Sequence, residues 1–355
     1  MVADRRIFLY LKVPSILNIL IVKLSSLGDV LHNLPIIWDI RAQYPDARID
    51  WVIEENYVSL LTPLLTCVDF KGIDHIIPIA MRRWKKNLLS RQTRQEWRAF
   101  RQELNAVSYD IVIETQGLLK AAWLTRLATH NKDAVIAGLG NATEDSGYEP
   151  LARLFYTESV QVPLRCHAVD RSRWVAAAAM NVPVPDNKSY PPQFYPPEFV
   201  QNLQRKPQLF TKPYVLFFHA TARAAKAWSE NGWIALGKML AEQGKQVVLP
   251  WGNTQEKIVS QRLSMQIPHA IVPQALTIQQ WFGVIAGADL TVGVDTGLTH
   301  LSAMMKKPTI ELYCDSPRWK TEAYWSDNIK NLGDTDKPPS VDEVLDCVKS
   351  LLSTG

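Results

Sequence analysis

The strongest constraint on this chain is a rhythm that runs along it twice: a short β-branched run, a turn, then a stretch with apolar residues at helical spacing. The first series places such runs at 19–24, 49–53, 76–79, 111–114 and 134–137. Helical patterns fall between them: one carrying Val30, Leu31, Leu34, Ile37 and Ile40, one near 57–65, one from about Ser90, and one at 118–128. Short strands of this buried type, alternating with helices, predict a parallel sheet covered on both faces.

The rhythm stops at 181–213, where 33 residues hold 8 of the 22 prolines. Proline resists helix interiors and central strands, so this segment reads as a linker with at most one short helix. The rhythm then resumes, with strands at 214–219, 246–249, 270–271, 290–294 and 309–312 and helices at 232–243, 255–265, 278–286 and 299–305. A last helix opens on a capping box, Ser340 with Glu343, and carries Val341, Val344, Leu345, Val348 and Leu352 on one face. The expected fold is α/β, two doubly wound domains facing a central cleft. The expected bounds are 1–180, a linker at 181–213, 214–330, and a C-terminal helix in 331–355 packing back toward the first domain. Sheets of this kind bind ligands at the carboxyl ends of their strands.

Composition narrows the class. At 355 residues and 47% apolar, the chain has length for two cores and is not disordered. Cys67, Cys166, Cys314 and Cys347 lie far apart with no C-x-x-C pair, against a disulfide framework or zinc ribbon. A net charge of +4 requires no nucleic acid. The apolar N-terminus is broken by Lys12, Pro14 and Asn18, too soon for a membrane span, and 7–11 is too short for a signal-peptide core. The expectation is a soluble, cytoplasmic protein.

Candidate chemistry sits at the turns. Residues 25–29 (SSLGD) follow the first run. Ser26 and Asp29 have capping-box spacing, and a carboxylate there can also take a proton from an acceptor hydroxyl. Residues 292–300 (VGVDTGLTH) lead a strand through a glycine turn into a helix, whose first amides suit a pyrophosphate. Asp-Thr-Gly also occurs in aspartic proteases, but those pair two triplets on an all-β fold. Lys226 follows the 214–219 run and can meet phosphate, or be a solvated loop lysine. Glu256 stands at the next strand end, where an acidic residue can accept from a ribose. No P-loop, complete G-x-G-x-x-G or H-E-x-x-H occurs, and Asp334-Thr335-Asp336 reads as a solvated turn rather than a metal motif. Between Arg82 and Leu104, eight basic residues face two acidic ones, with Trp84 and Trp97 interleaved. That net +6 leaves −2 for the rest, and suits a solvated helix face, a phosphorylated acidic partner or an anionic membrane surface.

Taken together, the chain from about Ile19 to its end resembles the lipopolysaccharide heptosyltransferases of type I, GT-B enzymes of glycosyltransferase family 9. Four stretches carry the resemblance: 22–32 (VKLSSLGDVLH) with Leu34-Pro35, 82–86 (RRWKK), 219–221 (HAT) with Lys226 and Trp228, and 294–301 (VDTGLTHL). It implies two Rossmann-like domains and inverting transfer of L-glycero-D-manno-heptose from ADP-heptose to the Kdo sugar of Kdo2-lipid A. It also implies no metal or other cofactor, no nucleic acid, and peripheral contact with the cytoplasmic face of the inner membrane. Asp29 would be the general base. Thr221, Ala222, Lys226, Asp295, Thr296, Gly297 and His300 would hold the diphosphate and sugar, Glu256 the ribose and Leu276 the adenine. Ser25, Ser26, Arg82, Arg83 and Lys85 would face the acceptor. The chain departs from the family at Ala222, Ala224, Ala225, Leu276 and 314–316, and in about 17 extra N-terminal residues. The alternatives are a family 9 transferase with another acceptor, or a protein that binds nucleotide or anionic lipid without turnover.

Overall fold

The computed structural model describes residues 16–186, 193–205, 210, 212–221 and 223–353. The N-terminal extension as far as residue 15, part of the linker and Ala222 lie outside the described residues.

Six strands build the first sheet: β1 (Asn18–Val22), β2 (Arg48–Glu54), β3 (His75–Ile79), β4 (Tyr109–Glu114), β5 (His130–Leu139) and β6 (Glu158–Val160). Every pair is parallel, in the order β3-β2-β1-β4-β5-β6. Five more form the second: β7 (Tyr214–Phe218), β8 (Gln246–Val248), β9 (Leu290–Val294), β10 (Thr309–Tyr313) and β11 (Ile329–Gly333), ordered β11-β10-β9-β7-β8 and also parallel. The strand order reverses beside β1 in the first sheet and beside β7 in the second, so each sheet opens a crevice there.

Side-chain alternation shows why both faces had to be apolar. Ile19 and Ile21 enter one cluster while Leu20 and Val22 enter another on the opposite face. In β7, Leu216 and Phe218 share the cluster of Ile19 and Ile21, whereas Val215 and Phe217 face a third. One apolar core therefore runs between the two domains. The linker helps to fill it: the Tyr195 hydroxyl donates to Leu60 O at 3.3 Å, and the Tyr195 ring lies 5.1 Å from Phe282. One short helix, Pro197–Arg205, occurs in the described linker.

Three parts differ from expectation. The C-terminal helix, Val341–Ser353, packs on the second domain, with Val344 and Val348 buried beside Leu236 and Leu240. Covering each such side chain stabilises by roughly 1.5–3 kcal/mol. The first sheet needs no such cover, because the helix Ala168–Met180 already lies on it. The boundary expected at 330 falls inside β11, so the second domain runs on into this last helix. Residues 270–271 form no strand, only a bridge from Ile271 to Val248.

Candidate active site

At the end of β1 the chain turns through Ser25 and Ser26 into the helix Leu27–Leu31. The Ser26 amide and hydroxyl both donate to Asp29 Oδ2, at 2.9 and 2.7 Å, so the carboxylate is fixed by its own turn. The neighbouring strand end braces it: Gln116 Oε1 accepts from the amides of Leu24 and Ser25, and Lys23 Nζ donates to Thr115 O at 3.1 Å. Burial pushes the Asp29 carboxyl up, but Lys23, the Ser26 hydrogen bonds and Arg171 outweigh it and hold it well below the usual carboxylate range. Burial lowers Lys23 to about 8, partly opposed by Asp29.

Opposite, β9 ends at Val294 just before Asp295, Thr296 stands at the N-cap position of the helix Gly297–Met304, and the helix start points its amides into the gap. Asp295 pairs with Lys226, which a 3-10 turn after β7 delivers, and lies 3.0 Å from His300 Nε2. On its other side His300 Nδ1 is 3.0 Å from Glu311 Oε1. Burial works against a charged ring, but the Glu311 and Asp295 carboxylates raise His300 to about 10, so it stands as an imidazolium.

Between these two strand ends lies a cleft of about 560 Å³. Its lining brings together Ser26, Asp29, Thr221, Lys226, Asp295, Thr296, Gly297 and His300, residues separated by up to 274 positions in sequence. The approach depends on glycine. The helices Leu27–Leu31 and Gly297–Met304 come into contact across the cleft, and a Cβ on Gly297 would fall 2.5 Å from Leu27 Cδ2 and 3.0 Å from its Cβ.

Six expected residues lie outside that lining. Ser25 is buried behind it and donates to Gln116. Glu256 closes a helix start, accepting from the Gly252 amide at 2.6 Å and the Asn253 side chain at 2.7 Å. Leu276 packs against the apolar core. Arg82, Arg83 and Lys85 stand beyond β3, on the same edge of the first sheet as the cleft but away from it; Arg83 is held by Glu55 and Glu96. Ala222, expected with the donor residues, is not among the described residues. Asp334 accepts from the amides of Arg318 and Thr335, as a turn residue does.

The cleft also holds residues that sequence reasoning left out: Lys23, His32, Arg171 and Lys320. His32 Nε2 and Ser316 Oγ, on two cleft-lining residues, are buried without a partner among the described residues, so the cleft lining is polar beyond what the protein itself satisfies. A lysine inside the apolar run ILIVKL was a legible signal; Arg171, in a helix not anticipated, offered none.

Two Rossmann-like domains with a polar cleft at their strand ends, an ionised carboxylate on one wall and an anion-binding helix start on the other, are the GT-B architecture of glycosyltransferases. The family model for glycosyltransferase family 9 (heptosyltransferase) matches residues 97–349. A lipopolysaccharide heptosyltransferase 1 of Pseudomonas aeruginosa is 38% identical over 308 residues, covering 87% of this chain and 81% of the relative. Among solved structures, E. coli heptosyltransferase WaaC with ADP aligns at TM-score 0.78 and 31% identity, covering 94% of this chain and all of that one. The same enzyme with ADP-2-deoxy-2-fluoro heptose aligns at 0.72 and 32%, covering 95% and 99%. The chain belongs to glycosyltransferase family 9, the heptosyltransferases.

Proposed function

We propose that this protein transfers L-glycero-D-manno-heptose from ADP-heptose to the Kdo sugar of Kdo2-lipid A, in assembly of the lipopolysaccharide inner core. One observation carries the mechanism: Asp29, ionised and fixed by Ser26, faces the cation-and-amide site of Lys226, His300 and Gly297 across one cleft. The donor lies with its diphosphate against that second-domain site. An acceptor hydroxyl approaches C1 of the heptose from the Asp29 side. As the new C–O bond forms, the hydroxyl proton passes to Asp29, and the bond from C1 to the β-phosphate oxygen breaks with its electron pair leaving on ADP. Attack from the face opposite the leaving group inverts C1.

A low proton affinity does not disable Asp29. The hydroxyl becomes acidic only as its oxygen bonds to C1, so the carboxylate need only be ionised and placed. Charge developing on ADP meets fixed cations and helix amides, the kind of preorganised stabilisation that dominates many barriers. With these groups neutralising the leaving diphosphate, the proposed reaction assigns no step to a metal or cofactor, and ADP-heptose is a substrate.

The acceptor is a lipid, and the protein is proposed to work peripherally at the cytoplasmic face of the inner membrane. No helix among the described residues is long and apolar enough to cross one. Support for surface contact comes from Leu88 and Leu89, 65% and 89% exposed ahead of the helix Arg91–Leu104, with the exposed cations Lys85, Lys86, Arg91 and Arg94 around them.

The test is ADP release from ADP-heptose, with and without Kdo2-lipid A, no divalent metal added, beside Asp29→Ala. Acceptor-dependent release lost in the variant supports donor, acceptor and base together. Release with no dependence on that acceptor would overturn the acceptor assignment.

A further inference from the structure

The cleft carries more positive charge than a nucleotide diphosphate needs. Five Lys and Arg side chains line it, with His300 as a sixth cation, against Asp29, Asp145 and Asp295. Lys226, His300 and the Gly297 helix start serve the second-domain wall. Arg171 does not belong to that group. It rises from the first turn of Ala168–Met180 on the Asp29 wall, and its guanidinium is near enough to Asp29 to help hold that carboxylate ionised.

Arg171 is 9% exposed, and among the described residues its guanidinium has one hydrogen-bond acceptor, Thr143 Oγ1 at 3.2 Å from Nη1. A buried guanidinium presents five donors in a planar fork, so most of this one faces the cleft unanswered. Lys320 comes to the same place from the second domain. Its segment is tied to the first domain at three points: Lys320 Nζ donates to Asp145 O, His167 Nε2 lies 3.1 Å from Glu322 O, and the Arg165 guanidinium sits 4.9 Å over the Trp319 ring. Two cations from opposite domains thus converge in the cleft, Arg171 beside the proton acceptor and Lys320 between Arg171 and the Lys226–Asp295 pair.

Resting on the acceptor assigned above, we propose that Arg171 and Lys320 form a carboxylate-binding subsite that seats the acidic acceptor sugar with its reacting hydroxyl against Asp29. A planar carboxylate matches the open edge of a guanidinium, which a point charge would not orient. Because Lys320 arrives from the second domain, the subsite is complete only when the two domains meet, which couples acceptor seating to cleft formation. Arg171 acts here as a specificity residue as well as a neighbour of Asp29.

The experiment compares two soluble acceptors, the Kdo disaccharide core and its analogue with the reactive sugar's carboxylate converted to an amide, on the wild type, Arg171→Gln and Lys320→Gln. The wild type should lose roughly 10- to 100-fold in kcat/KM on amidation, the worth of hydrogen bonds to a charged group. Arg171→Gln should lose a similar factor on the natural acceptor, lose little more on the amide, and keep the wild-type KM for ADP-heptose. Lys320→Gln should behave likewise to a smaller degree, and carries the comparison alone if Arg171→Gln fails to fold. Equal use of both acceptors by the wild type, or losses that simply multiply in the variants, would overturn the subsite and leave the enzyme's acceptor class intact. A raised donor KM would place Arg171 on the diphosphate instead. No turnover of either acceptor by the wild type would remove the acceptor assignment, and the subsite with it.

Discussion

His300 Nε2 lies 3.0 Å from Asp295 Oδ1, at the start of the second-domain helix that lines the cleft. That contact makes sense only with the second carboxylate behind it. Glu311 holds the far nitrogen, so the ring stays charged and Asp295 is held well below its usual range by His300 and Lys226 despite its burial. Asp295 in turn aims the Lys226 ammonium. Replacing His300 by Gln removes a fixed cation and leaves Glu311 buried with an uncompensated charge. We expect a loss of about 10²-fold or more in kcat/KM for ADP-heptose, and destabilisation of roughly 3–5 kcal/mol, read by ADP release and urea unfolding. The folded pKa of this histidine is raised, so its stabilisation is complete below the unfolded value near 6.5 and is lost as pH rises toward about 10.

Asp29→Asn keeps the shape of the turn and removes the proton acceptor. Transfer should fall by about 10²–10⁴-fold, while ADP binding by calorimetry stays within a factor of about two. Because the carboxyl is held far below its ordinary value, the wild-type kcat/KM should show no acid limb from this group between pH 5 and 7. A limb there that vanished in Asp29→Glu would contradict the assignment.

Acid should weaken the fold through two histidines that burial keeps neutral. Burial lowers His167 and His219 to about 4, against 6.5 when unfolded. Between those values the unfolded chain binds more protons, so stability falls as pH drops from about 6.5 to about 4. Urea midpoints at pH 7 and pH 5 should differ in that sense. His219→Asn, which retains a side-chain donor for Ser260 Oγ, 2.9 Å from His219 Nε2, should flatten the slope.

How much of this was legible in the sequence depends on where each residue finds its partner. Most strands of both sheets showed because buried parallel strands are apolar through and through, as in ILIV of β1, whereas the three-residue β6 was too short to stand out. The helix Ala168–Met180 did not show, because its apolar stripe is interrupted by Arg173, which is buried in an ion pair with Asp39, 134 positions away. β11 was hidden by Lys330 and Asn331. Asp29, Lys226 and Asp295 could be picked out because strand-end turns announce themselves locally. Arg171 and Lys320 gain their meaning only from domains brought together. Glu256 stands at the strand end where its spacing put it, but its bonds to Gly252 and Asn253 depend on how the turn closes and could not be read from spacing.

The glycine at the helix junction sets a distance. A methyl group on Gly297 would press on Leu27 from the opposite domain. Gly297→Ala should open the cleft slightly, with an overpacking cost of about 1–3 kcal/mol in the contact between domains. Turnover should fall, while the melting of each sheet, followed by hydrogen exchange, stays close to wild type. Leu27→Ala in the same chain should restore part of the lost turnover by making room.

Leu88 and Leu89 bear on how the protein would reach the proposed lipid acceptor. They sit ahead of the helix Arg91–Leu104, whose N-terminus follows β3 and so lies toward the edge of the first sheet that carries the cleft. Neither is needed for the core, being 65% and 89% exposed, and the cations beside them would be drawn to anionic headgroups at about 1 kcal/mol each. Leu88→Glu with Leu89→Glu should therefore leave the fold and the use of a soluble acceptor unchanged, and reduce sedimentation with vesicles of anionic phospholipid by about tenfold or more. Turnover of acceptor embedded in such vesicles should fall in parallel, and added salt should weaken wild-type sedimentation. Undiminished vesicle binding by the double variant would move the membrane-facing surface elsewhere on the protein.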